Sequence, residues 1–152
     1  MKNQLKFTLL FIVINFSGLA IGNFFMDNGP MKDWYINLNK APWTPPGWVF
    51  GVAWTFIMIC FSVYLGKLFT TENTLKNRTL FLSQFILNVS WNFIFFNKQL
   101  IFLGLINITL LTIILFTYFF TSNLKSYKYF LLPYILWLCI ATSLNLYIFA
   151  QN

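Results

Sequence analysis

The feature that most constrains this chain is a series of five apolar runs, each long enough to cross a lipid bilayer as a helix. They cover residues 5–25, 47–68, 79–96, 100–121 and 129–150. A helix rises about 1.5 Å per residue, so about 20 apolar residues span the ~30 Å hydrocarbon core. Backbone groups in lipid must pair internally, and the alternating pattern of a β-barrel is absent from the sequence. The sequence therefore predicts an all-α membrane protein, a single domain over residues 1–152 built as a bundle of five transmembrane helices.

The first run also resembles the front of a secretory signal peptide. It continues well past the usual apolar length of such a peptide, and no clear cleavage site of small residues follows it. We therefore expect this run to be retained as the first helix.

The charged residues support a membrane location and argue against nucleic acid. Only 9% of the residues are charged, whereas a soluble domain carries about 25%. The net charge of +7 comes from Lys and Arg at the ends of the apolar runs, where they anchor helices against lipid headgroups. No basic stripe interleaved with stacking aromatics occurs in the sequence, so we expect no nucleic-acid partner.

The distribution of Lys and Arg also predicts an orientation. Five spans place the N-terminus, the second link and the fourth link on one side of the membrane. That side carries seven of the ten basic residues, and the other side carries Lys32, Lys40 and Lys98. Because cytoplasmic segments are enriched in Lys and Arg, we expect an integral protein of a bacterial cell membrane with a cytoplasmic N-terminus.

Several kinds of chemistry are excluded by residue type. The chain has no histidine, and its only acidic residues are Asp27, Asp33 and Glu72. A Ser-His-Asp or Cys-His arrangement is impossible, and a metal site has almost no ligands available. No charged residue lies in the middle of a span, which argues against a proton-coupled pump. Any function must use aromatic rings, side-chain amides and backbone.

The six tryptophans fall into two groups. Trp34, Trp43 and Trp48 lie in or beside the first loop, at the headgroup level that tryptophan prefers. The other three lie further inside the spans: Trp54, Trp91 and Trp137. A lipid-facing tryptophan there would bury its N–H without a partner. Their positions alone leave open whether they line a pocket or belong to the interfacial belt.

Helical spacing places polar and aromatic residues on common faces. The third helix carries one such face, with residues at i, i+4, i+7, i+8 and i+11: Gln84, Asn88, Trp91, Asn92 and Phe95. The fifth helix repeats every four residues: Pro133, Trp137, Ala141 and Asn145. Further inward-facing candidates are Asn15, Asn23 and Asn107. These amides could bind a ligand or form hydrogen bonds between helices, and both alternatives stay open.

Glycines spaced four apart mark two places where helices could approach closely. The pairs are Gly18 with Gly22 and Gly47 with Gly51. Such pairs permit close contact within a chain or between chains.

The first loop is stiffened by Pro42, Pro45 and Pro46 and carries bulky aromatics such as Trp43. Proline fixes φ, and Pro45-Pro46 precede the second helix where a missing N–H is harmless. The loop could fold over the mouth of the bundle as a lid, or form an interfacial hairpin that holds belt tryptophans.

Three motifs, in order, resemble the TspO/translocator protein family, also called tryptophan-rich sensory proteins. The first is Trp-Tyr-x-x-Leu-x-Lys-x-x-Trp-x-Pro-Pro at residues 34–46. The second is Asn-x-x-Trp-x-x-x-Phe-Phe at residues 88–96. The third is Pro-Tyr-x-x-Trp at 133–137, followed by Ala-Thr-x-Leu-Asn at 141–145. The resemblance covers essentially the whole chain, and the three motifs occur in the order of the family.

The resemblance implies five helices, a homodimer and a pocket beneath the first loop. It implies binding of porphyrins such as protoporphyrin IX, or of other hydrophobic small molecules, with the tetrapyrrole as ligand and no further cofactor. The resemblance places these residues at ligand-binding positions: Tyr35, Trp54, Asn88, Trp91, Trp137 and Ala141. The helical faces add Gln84 and Asn145, and the loop adds Pro42 and Trp43.

Three functions follow as hypotheses. The leading one is a membrane binding and sensory protein for tetrapyrroles. The second is an enzyme that promotes light-dependent porphyrin degradation without a metal, with Trp54 and Trp137 as the catalytic residues, because the resemblance associates some members with this reaction. The third is passive transport of porphyrin or a lipid-like metabolite.

Overall fold

The computed structural model describes residues 2–152 and contains six α-helices in that range. They are α1 (Lys2–Met26), α2 (Asp33–Ile36), α3 (Gly47–Thr71), α4 (Leu75–Asn92), α5 (Ile101–Thr121) and α6 (Leu132–Gln151). All but the short α2 are long and apolar enough to cross a membrane. The prediction of an all-α bundle with five transmembrane helices is confirmed.

Several helix boundaries differ from the sequence prediction. The run predicted to start at residue 79 begins at Leu75, because the hydroxyl of Thr74 accepts the Asn77 backbone N–H at 3.2 Å and caps α4. The helix predicted to end at residue 68 continues to Thr71. Both ends carry polar residues, which lie at headgroup depth and can be helical there as easily as in a loop.

The third and fifth spans each contain a segment of different helical geometry. Phe93–Asn97 forms a π-helical turn after α4, and Lys98 then donates its backbone N–H to the Phe93 carbonyl. The fifth run, predicted at 129–150, opens as a 3₁₀ helix over Lys125–Leu131. The α-helix starts only at Leu132, with Pro133 in its first turn, where its missing N–H costs nothing.

The five spanning helices form a closed ring. Helix α1 packs between α3 and α4, α5 packs between α4 and α6, and the ring closes where α3 meets α6. The largest fully buried side chains include Phe61, Tyr64, Tyr118 and Leu131, at the end of the bundle that holds the second and fourth links. In α3 the first buried residue is Ile57, so the loop-side third of that helix is much less tightly packed.

The glycines show which helices approach most closely. A Cβ added at Gly66 would collide with Thr8 of α1, whose Cα lies 2.9 Å away. Gly18 and Gly22 face α4, where an added Cβ would lie 2.8 Å from a Phe85 ring carbon and from the Asn92 amide nitrogen. By contrast, no atom lies within 4 Å of a Cβ added at Gly47 or Gly51. The first predicted pair is therefore a contact within the chain, and the second is not.

Candidate functional site

The deepest part of the candidate site is centred on the hydroxyl of Tyr134 in α6. Gln84 donates its side-chain N–H to this oxygen at 2.9 Å, and Asn88 donates to the same oxygen. The Trp54 ring from α3 meets the Tyr134 ring edge-on, with centroids 5.6 Å apart. Tyr134 is 0% exposed, so this side chain joins α6 to α4 through its hydroxyl and to α3 through its ring.

The following turns of α6 also place side chains in the interior of the bundle. Trp137 is 8% exposed and meets the Phe50 ring of α3 edge-on, with centroids 5.2 Å apart. Ala141 is buried beside it, and the Asn145 amide donates to the Ala141 carbonyl at 2.9 Å. The four-residue repeat of this helix therefore faces inward, as its spacing predicts.

The upper part of the site lies where the first loop meets the end of α4. The Trp91 ring stacks on Phe95 with centroids 5.0 Å apart. The Tyr35 ring stands edge-on to Phe96 at 5.1 Å, and Ile148 of α6 belongs to the same cluster. Burial raises the pKa of Tyr35 above its ordinary value of 10, so its phenol stays protonated and able to donate at neutral pH.

A lysine fixes this part of the loop. The Lys40 ammonium donates to the carbonyls of Tyr35 at 2.6 Å and Ile36 at 2.9 Å, at the end of α2. It also lies 4.7 Å from the centroid of the Tyr35 ring. A cation at a helix C-terminus satisfies carbonyls that have no partner within the helix. Lys40 thereby holds Tyr35 against the bundle.

The rest of the first loop crosses to α6. The Trp43 indole N–H donates to the Ser143 hydroxyl at 3.2 Å. The Asn39 backbone N–H donates to the Asn152 side-chain oxygen at 2.9 Å, and the Asn152 amide donates back to the Asn39 carbonyl at 3.2 Å. Pro42 and Trp43 stay exposed on the outer surface of the loop. The loop is therefore fastened over the end of the bundle as a lid.

Three polar atoms on predicted ligand-binding residues are buried without a hydrogen-bond partner. They are Gln84 Oε1, Trp91 Nε1 and Asn145 Oδ1. A buried polar group without a partner costs about 1–3 kcal/mol, and lipid supplies no water to relieve that cost. One donor and two acceptors are thus available to a bound molecule.

The interior is closely packed in this structure. A small cavity of about 10 Å³ lies between α1, α3 and α4, and its polar lining residues are Asn15, Gln84 and Asn88. That volume suits about one water molecule, whereas pockets for small molecules measure about 300–1,000 Å³. A small-molecule ligand could enter this cavity only if its lining side chains moved.

Other predicted amides join helices or face outward. Asn15 donates to the Ser62 hydroxyl at 2.9 Å, and Asn107 donates to the Ser90 hydroxyl at 2.9 Å. Asn92 turns toward Gly22 of α1. Asn23 is exposed, so the prediction that it faces inward is wrong. It lies in the last turn of α1, near the membrane surface, where a side-chain amide can meet water.

Two residues of the site were missing from the predicted set. Tyr134 is the hydrogen-bond centre, and Phe50 is the ring that contacts Trp137. Spacing carried a signal for Tyr134, because it lies three residues before Trp137 and therefore on nearly the same helical face. Phe50 had no such signal, since it is one of 20 phenylalanines in an apolar chain.

Comparison with known proteins agrees with the three sequence motifs. The pattern of the TspO/MBR family matches residues 9–151. The chain is 31% identical to the tryptophan-rich protein TspO of Archaeoglobus fulgidus, over 99% of each chain. It is 29% identical to the tryptophan-rich sensory protein of Cereibacter sphaeroides, over 74% of this chain and 73% of the relative. It is 27% identical to the human translocator protein, over 89% of this chain and 83% of the relative.

Proposed function

This chain belongs to the TspO/MBR family, and on that premise we propose that it is a membrane receptor for a tetrapyrrole such as protoporphyrin IX. The relatives carry the names sensory protein and translocator protein, which are consistent with a binding protein of the membrane. The observation that carries the proposal is the set of unpartnered atoms on Gln84, Trp91 and Asn145. Gln84 contacts Tyr134, Trp91 stacks on Phe95, and Asn145 lies on the buried face of α6.

The chemistry of a free-base porphyrin matches this set of groups. The macrocycle is flat and apolar, and the two propionic acid side chains of protoporphyrin IX provide oxygen acceptors and, when protonated, O–H donors. The indole rings of Trp54 and Trp137 offer apolar faces for stacking. The Trp91 N–H can donate to an oxygen of a propionic acid side chain, and the Asn145 oxygen can accept from a protonated carboxyl group. A few polar groups in an apolar pocket fix the orientation of a ligand in this way.

Binding is coupled to motion of the lid. The ligand has to displace packed aromatic rings, and the contacts of the loop with α6 must open first. Those contacts include the Trp43–Ser143 hydrogen bond and the paired hydrogen bonds between Asn39 and Asn152. Each is exposed, and exposed hydrogen bonds of this kind exchange readily with water, so the lid can open without unfolding the bundle.

Titration of protoporphyrin IX into the detergent-purified protein in the dark tests this proposal, with tryptophan fluorescence as the signal. We expect saturable quenching. Asn145→Leu removes the free oxygen and should weaken the affinity by about tenfold, the equivalent of about 1.4 kcal/mol. Asn23→Leu is the matched control, because Asn23 is exposed at the end of α1. The porphyrin affinity of this variant should equal that of the wild type. Linear quenching without saturation, or equal affinities for both variants, would refute the site.

Light-dependent degradation of the bound porphyrin is a second candidate function. It is favoured by the position of the Trp54 ring inside the bundle, edge-on to the buried Tyr134. With dissolved O₂ as the oxidant, the indole can donate an electron to the excited porphyrin, which passes it to O₂ to give superoxide. The indole radical then takes an electron back from the macrocycle, and the oxidised macrocycle combines with superoxide to give the oxygenated product. Trp54→Phe and Trp137→Phe should then abolish product formation under light while dark binding persists. If illuminated variants form product at the wild-type rate, these residues are not catalytic.

A further inference from the structure

The end of the bundle opposite the first loop carries most of the charge of the protein, and it is assembled from several elements. The Gln4 amide of α1 donates to the Tyr127 hydroxyl at 3.3 Å. The end of α3 packs against the same 3₁₀ helix, Lys125–Leu131. The Tyr118 hydroxyl of α5 donates to the Asn77 carbonyl of α4 at 3.0 Å. Basic residues that are far apart in the sequence therefore share one surface.

The charge on this surface is not neutralised by the protein. Its basic residues are Lys2, Lys6, Lys67, Lys76, Arg78, Lys125 and Lys128. Its only acidic residue is Glu72, so the surface carries a net charge of +6. The opposite end has three basic and two acidic residues, a net charge of +1. Within residues 2–152 the one ion pair joins Lys32 to Asp27, at the opposite end. The counterions of the basic surface must come from outside the chain.

Two of its ammonium groups are held beside aromatic rings. Lys67 Nζ lies 5.6 Å from the centroid of the Tyr127 ring. Lys128 Nζ lies 5.2 Å from the Phe119 centroid and 5.8 Å from the Tyr129 centroid. Tyrosine rings such as those of Tyr127 and Tyr129 are enriched at headgroup depth in membrane proteins, and cation–π contacts hold the two ammonium groups beside them. A fixed cation beside an apolar ring matches a lipid, whose charged phosphate adjoins its acyl chains.

We propose that this end of the bundle is a binding surface for anionic phospholipid headgroups, with Lys67 and Lys128 as its principal phosphate ligands. The occupant is a membrane lipid and not a soluble phosphate, because each ammonium group lies beside a tyrosine ring, the residue type that favours the edge of the hydrocarbon. Phosphatidylglycerol should bind more strongly than phosphatidylcholine, whose own choline cation cancels its charge. The surface is separate from the candidate tetrapyrrole site, so the two proposals fail or stand independently.

Lipid retention by the full chain tests the surface. The protein is exchanged into non-ionic detergent with equal amounts of phosphatidylglycerol and phosphatidylcholine, washed, and its retained lipids are measured by mass spectrometry. We expect the anionic lipid to be enriched by about threefold or more in the wild type. The double variant Lys67→Gln/Lys128→Gln should lose most of that enrichment, and 0.5 M salt should do the same.

The control is the double variant Lys32→Gln/Lys98→Gln at the opposite end. It removes the same number of charges, and Lys98 also lies over a ring, 5.1 Å from the Phe93 centroid. This control should keep the wild-type enrichment. Equal retention of both lipids by the wild type, or equal losses in both double variants, would overturn the proposal. Displacement of the lipid by inorganic phosphate, beyond that by chloride at the same ionic strength, would overturn its assignment to a lipid.

Discussion

At the scale of single residues, a polar side chain inside the bundle either finds a partner on another helix or keeps an unpaired atom. An amide or indole inside a span must avoid lipid, so the spacing of Gln84, Asn88 and Trp137 was enough to predict a common interior. Whether an atom is paired depends on a partner from another helix, which spacing does not reveal. The Tyr134 hydroxyl accepts hydrogen bonds from the side-chain N–H groups of both Gln84 and Asn88, whereas Gln84 Oε1 has no partner.

Replacing Trp91 by phenylalanine separates ligand binding from stability. The change keeps a ring against Phe95 and removes an N–H that has no partner. The free protein should lose no stability and could gain about 1 kcal/mol, while porphyrin affinity falls by about fivefold to tenfold because a donor is lost. Thermal unfolding without ligand and fluorescence titration with porphyrin measure the two effects.

The same change at Trp48 is the control for Trp91. Trp48 is 71% exposed, so Trp48→Phe should alter neither quantity. A Trp91→Phe variant that is clearly less stable in the free state, yet binds porphyrin normally, would show that the indole N–H is structural.

At the scale of helices, length and polarity predicted the five spans, but one close contact between α1 and α3 does not involve either predicted glycine pair. Gly66 packs directly on Thr8, and Ser62, one turn earlier, accepts a hydrogen bond from Asn15. Ser62 and Gly66 form a small-xxx-small pair, which permits the same close approach as two glycines. Glycine spacing in the sequence does not reveal this pair, because one of its members is a serine. The exposed pair Gly47 and Gly51 has the same spacing without a partner helix in the chain.

Alanine substitutions distinguish the two kinds of glycine. In Gly66→Ala the added methyl group collides with Thr8, so the α1–α3 contact must open, with an expected loss of about 1–3 kcal/mol of stability. In Gly51→Ala the methyl group meets open space, and alanine favours the helix by about 1 kcal/mol. When both variants are unfolded by heat in one detergent, we therefore expect a lower midpoint temperature for Gly66→Ala only. A lower midpoint for Gly51→Ala would mean that this face is covered in the detergent-solubilised protein.

At the scale of the whole molecule, the two ends of the bundle have different properties. The end with the second and fourth links holds the fully buried core and the excess of basic residues. The end with the first loop holds the candidate site, where α3 is loosely packed and a lid crosses to α6. The family motifs identified the candidate site in the sequence, whereas the lid contact of Asn39 with Asn152 depends on distant residues and could not be predicted. The homodimer implied by the family resemblance stays a prediction.

The excess of basic residues at one end predicts that this end faces the cytoplasm. A variant with Cys60 and Cys139 replaced by alanine can carry one new cysteine, at Asn3 or at Asn37, which are both exposed. In intact cells a membrane-impermeant maleimide should label Asn37→Cys, and it should label Asn3→Cys only after permeabilisation. The reverse pattern would invert the orientation.

Whether a tetrapyrrole lies beneath the first loop is tested most directly by NMR of protein labelled with ¹⁵N in the tryptophan indoles. The six tryptophans give six N–H signals, and the Trp91→Phe variant assigns the signal of Trp91. As protoporphyrin IX is added, the signals of Trp54, Trp91 and Trp137 should shift and saturate together, and that of exposed Trp48 should stay in place. Shifts confined to Trp43 and Trp48, with the three interior signals unchanged at saturation, would place the porphyrin on the surface and contradict the proposed site.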